Sequence, residues 1–184
     1  MSLLLLALVL AFGGARPIDA IAATVSQSSH MNACDFLTVR HITAVIQMKV
    51  DPGRRHDTGR LNTGIYSGAY SSTCVWRASA DRNAHDPNLP LGGANFVILV
   101  VIVWPQNSNG PAHFLQTFRD AAQDRTIART PVPLRIGDEA LWWGDGVAAR
   151  RGNFAFGISV HLLQKQSQQR RMEEQLANYV SSEM

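Results

Sequence analysis

Lysine is nearly missing from this sequence. Lys49 and Lys165 are its only two in 184 residues, so the net charge of +3 and the pI near 9.2 come from arginine. The arginine pairs Arg54-Arg55, Arg150-Arg151 and Arg170-Arg171 are not interleaved with the aromatics that a single-strand nucleic-acid face uses for stacking. Nucleic acid is therefore not an expected partner, and +3 supports only a weak attraction to anionic surfaces. Cysteine is equally scarce, with Cys34 and Cys74 alone, and two isolated cysteines make a poor metal site. Hydrophobic runs are short. The longest, Leu3 to Phe12, is ten residues, about half of the roughly twenty that cross a bilayer.

Catalytic signatures are missing too. The histidines His30, His41, His56, His85, His113 and His161 have neither the i, i+4 spacing nor the HExxH setting of a zinc protease. Gly64-Ile65-Tyr66-Ser67-Gly68 puts its serine one position off the G-x-S-x-G elbow. Gly13-Gly14 and Gly92-Gly93 stand in no phosphate-binding loop. No catalytic residue, metal or cofactor is expected from these patterns.

What is present begins at the N-terminus. The apolar run is followed by Gly13, Gly14, Pro17 and the small-residue site Ala20-Ile21-Ala22, with alanine at −3 and −1, the pattern of a cleavable secretory signal. Only the α-amino group stands before the run in place of a basic n-region. The expectation is a signal at 1–23, cleavage near Ala22 or Ala23, and one mature domain at 24–184, periplasmic or secreted. About 160 residues suffice for one core without metals or many crosslinks. Export also predicts that Cys34 and Cys74 pair, since exported chains rarely keep two free thiols.

Periodicity then sets the elements. Asp35 to Met48 puts Leu37, Ile42, Val45 and Ile46 at helical spacing, with Thr38 or Asp35 as N-cap. Asp51 to Gly68, rich in Gly, Arg, Asp and Asn, reads as a long surface loop. From Tyr70 the chain alternates as a half-buried strand, and Asn95 to Trp104 is a strongly β-branched one. Pro111 to Asp124 carries Phe114, Leu115, Phe118, Ala121 and Ala122 on one helical face. Thr130-Pro131-Val132-Pro133 is extended, and Leu141 to Trp143, Val147 to Arg150 and Phe154 to Leu162 read as an antiparallel meander. Met172, Leu176, Tyr179 and Val180 mark a terminal amphipathic helix within Ser167 to Met184. The fold class is α+β: an antiparallel sheet of about five strands with helices packed on it, in the order αββαβββα.

Four motifs in sequence carry a resemblance: Asn32-Ala33-Cys34-Asp35-Phe36-Leu37-Thr38, Ser72-Thr73-Cys74-Val75-Trp76, Ile136-Gly137-Asp138-Glu139-Ala140, and Val147-Ala148-Ala149-Arg150-Arg151-Gly152-Asn153. In these the chain resembles small secreted proteins and lipoproteins of unknown function common in actinobacteria, whose fold is similar to the PsbP-like α/β/α sandwich. The resemblance implies that fold and an exported location, and no reaction. The chain differs from the lipoprotein members in lacking a lipobox, since Cys34 follows a polar stretch.

Candidate functional residues are few. Guanidinium groups suit carboxylate and phosphate partners, so Arg54, Arg55 and Arg60, beside His56, form the leading interaction element. Trp142 and Trp143, whichever is exposed beside Asp145, are the candidate ligand contacts. Asp138 and Glu139 would be an acid/base pair only if neighbouring strand positions could share a substrate, and they point to opposite faces. His56-Asp57 and His85-Asp86 lie in two irregular segments, where a metal site is the alternative to solvated side chains. The leading expectation is a non-enzymatic exported protein that binds a protein or cell-envelope component through its loops and the open side of the sheet. The alternatives are a small-ligand carrier or sensor, with a pocket between the sheet and helix Pro111–Asp124 lined by Trp76, Trp104 or Trp142, and an envelope hydrolase using Asp138, Glu139 or a loop histidine.

Overall fold

The computed structural model describes residues 31–85, 90–163 and 168–184. The expected signal at 1–23 lies outside them. Among the described residues, seven antiparallel strands form a single sheet in the order β1-β2-β3-β7-β6-β5-β4. They are β1 (Arg54–Arg60), β2 (Tyr70–Arg77), β3 (Phe96–Val103), β4 (Val132–Leu134), β5 (Glu139–Trp142), β6 (Val147–Arg151) and β7 (Phe154–His161). The helices are α1 (Val39–Ile46), α2 (Gly110–Gln123) and α3 (Gln169–Ser182). The α+β class and the antiparallel sheet are as the periodicity requires. The strand number and order are not: the order is αβββαββββα, with seven strands in place of about five.

Both added strands are edges. β1 occupies what reads as a surface loop, because six of its seven residues are exposed and it has no apolar face to alternate. Its partner β2 supplies the order, pairing Arg54 with Val75 and Arg60 with Tyr70 across a bulge between Asp57 and Gly59. β4 has only three residues, with Pro133 at its centre, and pairs with β5.

The first helix is shorter than the sequence spacing suggests. Asn32 caps a 3-10 turn over Ala33–Asp35, and then the Thr38 hydroxyl accepts from the His41 N–H to start α1. Gln47 ends it in the left-handed conformation. Cys34 and Cys74 are disulfide-bonded, fastening that turn to β2 across 40 residues of chain.

Each face of the sheet has its own core. On the first face, Cys74, Trp76, Val97, Leu99, Val101, Phe156, Ile158 and Val160 pack beneath α1 and α3. On the second, Ile102, Trp104, Ala148, Ala155 and Leu141 pack with Phe114 and Leu115 of α2. Trp104 donates Nε1–H to the Ile65 carbonyl at 2.9 Å, and its ring lies so close to Gly110 that a Cβ there would fall 2.0 Å from Nε1. Only glycine lets α2 begin against that ring.

Candidate binding surface

α2 covers only part of the second face, touching β6, β7 and the turn at Gly64–Tyr66. Toward β1, three cross-strand rows are half-buried on that face: Thr73, Val100 and Gly157; Val75, Ile98 and Ser159; and Arg77 and His161 with Phe96 between them. Pairing carries the rows outward, to His56 beside Thr73 and Arg54 beside Val75. α2 reaches only the first of these rows, where Val100 packs with its cluster, and Arg77 in the last row donates to the Ala84 and Leu91 carbonyls. Together the rows make a shallow half-buried strip bordered by cations, since β1 ends the sheet beyond it.

The three candidate arginines behave differently. Arg55 is committed internally: its Nη2 pairs with Asp57 and donates to the Met31 carbonyl at 2.9 Å and to the Tyr70 hydroxyl. Asp57 also accepts from the Ser72 hydroxyl at 2.6 Å. Burial works against the Asp57 charge, but Arg55, Ser72 and Tyr70 together hold its carboxyl below the ordinary range. The side chains of Arg54 and Arg60 make no hydrogen bond or ion pair among the described residues and stand exposed at the two ends of β1. The segment expected to be a surface loop is thus in part a strand, with one arginine side chain paired inside and two projecting to solvent.

Trp142 and Trp143 point to opposite faces of β5. Trp142 is 8 % exposed and lies in the first-face core, with the Arg129 and Arg170 guanidiniums 5.3 and 5.0 Å from its ring centroid. Its Nε1–H donates to Glu173 at 2.8 Å. Trp143 is half-buried against Phe118 of α2, ring centroids 5.6 Å apart. Neither forms an open aromatic platform. Nor do Trp76, Trp104 and Trp142 line one pocket: Trp104 is on the α2 side of the sheet, whereas Trp76 and Trp142 are on the other.

The acidic candidates are held in ion pairs. Glu139 accepts from Arg119 on α2 and from Arg150 at 3.0 Å, and these two guanidiniums hold its carboxyl below the usual carboxylate range. Asp138 accepts the Gly152 N–H at 2.7 Å across the β6–β7 turn. Asp51, bonded by Arg82 and by the Ser79 hydroxyl, is likewise lowered. His56 is on β1 and His85 follows the 3-10 turn at Ser79–Asp81, while Asp86 lies outside the described residues. Among the described residues no three His, Cys, Asp or Glu side chains cluster to hold a metal ion. Ser67 follows a 3-10 turn rather than ending a strand.

One group escaped the sequence reading altogether. Glu173 is fully buried on α3, where Oε2 accepts from Trp142 and Oε1 from the Val160 N–H at 3.1 Å and from Gln169 at 3.0 Å. Burial raises its pKa despite those three donors. The signal for it was positional, since Glu173 sits in the stripe of Met172, Leu176, Ala177 and Val180 that α3 buries. Tyr179, assigned to that stripe by spacing, is instead 42 % exposed and stacked on His41 of α1 at 4.6 Å.

The motifs behind the family resemblance all have structural work. Asn32 and Thr38 cap, Cys34 and Cys74 bond, and the Asp138 N–H donates to the Arg150 carbonyl. Gly137 has φ +61°, and a Cβ there would meet the Arg150 carbonyl oxygen at 2.5 Å. Asn153 Nδ2 donates to the Trp104 carbonyl at 2.7 Å. Among the described residues no helix is long and apolar enough to cross a membrane. Comparison with family models, with curated proteins and with solved structures yields no match to this chain.

Proposed function

We propose that this is an exported, non-enzymatic binding protein of the cell envelope, and that it engages a protein or envelope component through β1 and the adjoining half of the second sheet face. The observation that supports this most is the placement of Arg54, whose side chain makes no hydrogen bond or ion pair among the described residues, at the margin of the half-buried strip on the second face, with Arg60 exposed at the other end of the same edge strand. The disulfide fits an oxidising compartment, and the apolar run at Leu3 to Phe12 fits a secretory signal. The PsbP-like resemblance belongs to the same proposal, resting on short motifs.

Two features weigh against the hydrolase alternative. Glu139, held ionised by Arg119 and Arg150, is a poor general acid near neutral pH. Glu173, whose pKa is raised, has no solvent access. The carrier alternative loses its aromatic pocket, because the tryptophans are divided between two cores.

The test is capture from envelope extract by immobilised mature protein, against the charge-reversed variant R54E/R60E. Retention of a defined component by the wild type and its loss in the variant is the expected result. Equal retention by both, or turnover of an envelope substrate without any capture, refutes the proposal.

A further inference from the structure

The sheet has two edges, and their chemistry differs. β4 is three residues long with proline in the middle, so its outer side offers little main-chain ladder to a newcomer. β1 is seven residues long, contains no proline, and is paired only with β2 among the described residues. Arginine along such an edge acts selectively. A second copy of β1 laid antiparallel in full register would set Arg54 opposite Arg60 at each end of the pair, and like charges facing each other destabilise a ladder. A strand of opposite charge meets no such barrier.

The bulge refines the partner. Arg54 pairs opposite Val75 and Arg60 opposite Tyr70, five positions apart on β2, so the two free cations project to opposite faces of the sheet. They stand roughly 17 Å apart along the strand, five positions of β2 at about 3.3 Å each. A partner strand satisfying both carries carboxylates near each of its ends and on both of its faces, rather than one acidic and one apolar face. Resting on the binding reading above, we propose that β1 takes an extended acidic segment of a partner protein as an eighth strand, with main-chain hydrogen bonds supplying the hold and Arg54 and Arg60 the choice of partner.

The experiment titrates mature protein with a capped peptide of sequence EETVTEE, with EEPVPEE, which has the same charge but two fewer N–H donors, and with KKTVTKK, following amide chemical shifts by NMR. The expected result is saturable binding of EETVTEE centred on 54–60, at least about tenfold weaker for EEPVPEE and again for the R54E/R60E protein, with no binding of KKTVTKK. Equal affinity for the two acidic peptides overturns strand addition in favour of charge attraction alone. A dimer of the free protein through β1, seen by sedimentation, overturns the self-exclusion argument. If no peptide binds while envelope capture still depends on Arg54 and Arg60, strand addition falls and the binding reading stands. If capture also fails, both fall.

Discussion

Removing the Glu173 carboxylate tests the core more sharply than any apolar truncation. In Glu173→Ala, the Trp142 Nε1–H and the Val160 N–H lose their acceptor inside the protein, each orphaned donor costing about 1–3 kcal/mol. The one buried methylene that is removed adds roughly 0.8 kcal/mol. Relief from burying a charge offsets part of this, leaving a net loss of about 3 kcal/mol. Glu173→Gln keeps the volume, and its carbonyl can still accept from Val160 and Gln169. Its NH2 then faces the Trp142 N–H, donor against donor, for about 1–2 kcal/mol. Trp142→Phe removes the opposing donor, so E173Q/W142F is expected to be more stable than the sum of the single variants by roughly 1 kcal/mol. Urea unfolding with the disulfide intact measures the wild type and these four variants. Additivity within about 0.5 kcal/mol would refute the reasoning, because it would mean that Trp142 and Glu173 do not bond.

Three more outcomes follow from the same geometry. Because the folded-state pKa of Glu173 is raised, the native protein binds its proton more readily than the unfolded chain. The penalty for its charge is therefore full above the folded pKa and fades as pH falls toward the ordinary value of 4.5. The stability advantage of wild type over E173Q should widen over that interval, and a gap that narrows counts against burial as the cause. Glu139 has the opposite sign: its contribution is present above 4.5 and disappears as pH falls through its lowered folded pKa, so Glu139→Gln should cost up to about 1 kcal/mol at neutral pH and nothing in strong acid. Reducing the Cys34–Cys74 bond, which closes a 40-residue separation, should lower unfolding free energy by about 4 kcal/mol at most, read from denaturant midpoints with and without reductant.

Much of the fold was legible where burial imposes a period. β2, β3, β6 and β7 have faces to hide, and Thr38, the two cysteines and the Gly137 turn announce themselves by residue type. The edge strands were not legible, for a common reason. An edge hydrogen-bonds on one side only, and β1 buries none of its side chains fully, so nothing in its own residues distinguishes it from a polar loop. Its order is supplied by β2, by the Asp57 contacts and by Arg55 reaching Met31. The candidate surface was half legible in consequence: the arginines stood out by type, but which of them is free depends on pairing across strands. Trp142 misled because a tryptophan beside charges reads as an exposed platform, whereas here two arginines and a glutamate close over a buried ring.

The most direct measurement is amide hydrogen exchange on the mature protein, alone and bound to whatever envelope component it captures. Slowed exchange is expected to be confined to 54–60 and the adjoining rows of β2 and β3, with β4 and the outer side of α3 unchanged. Protection centred on β4 or α3, with β1 exchanging as in the free protein, would contradict the proposed use of β1.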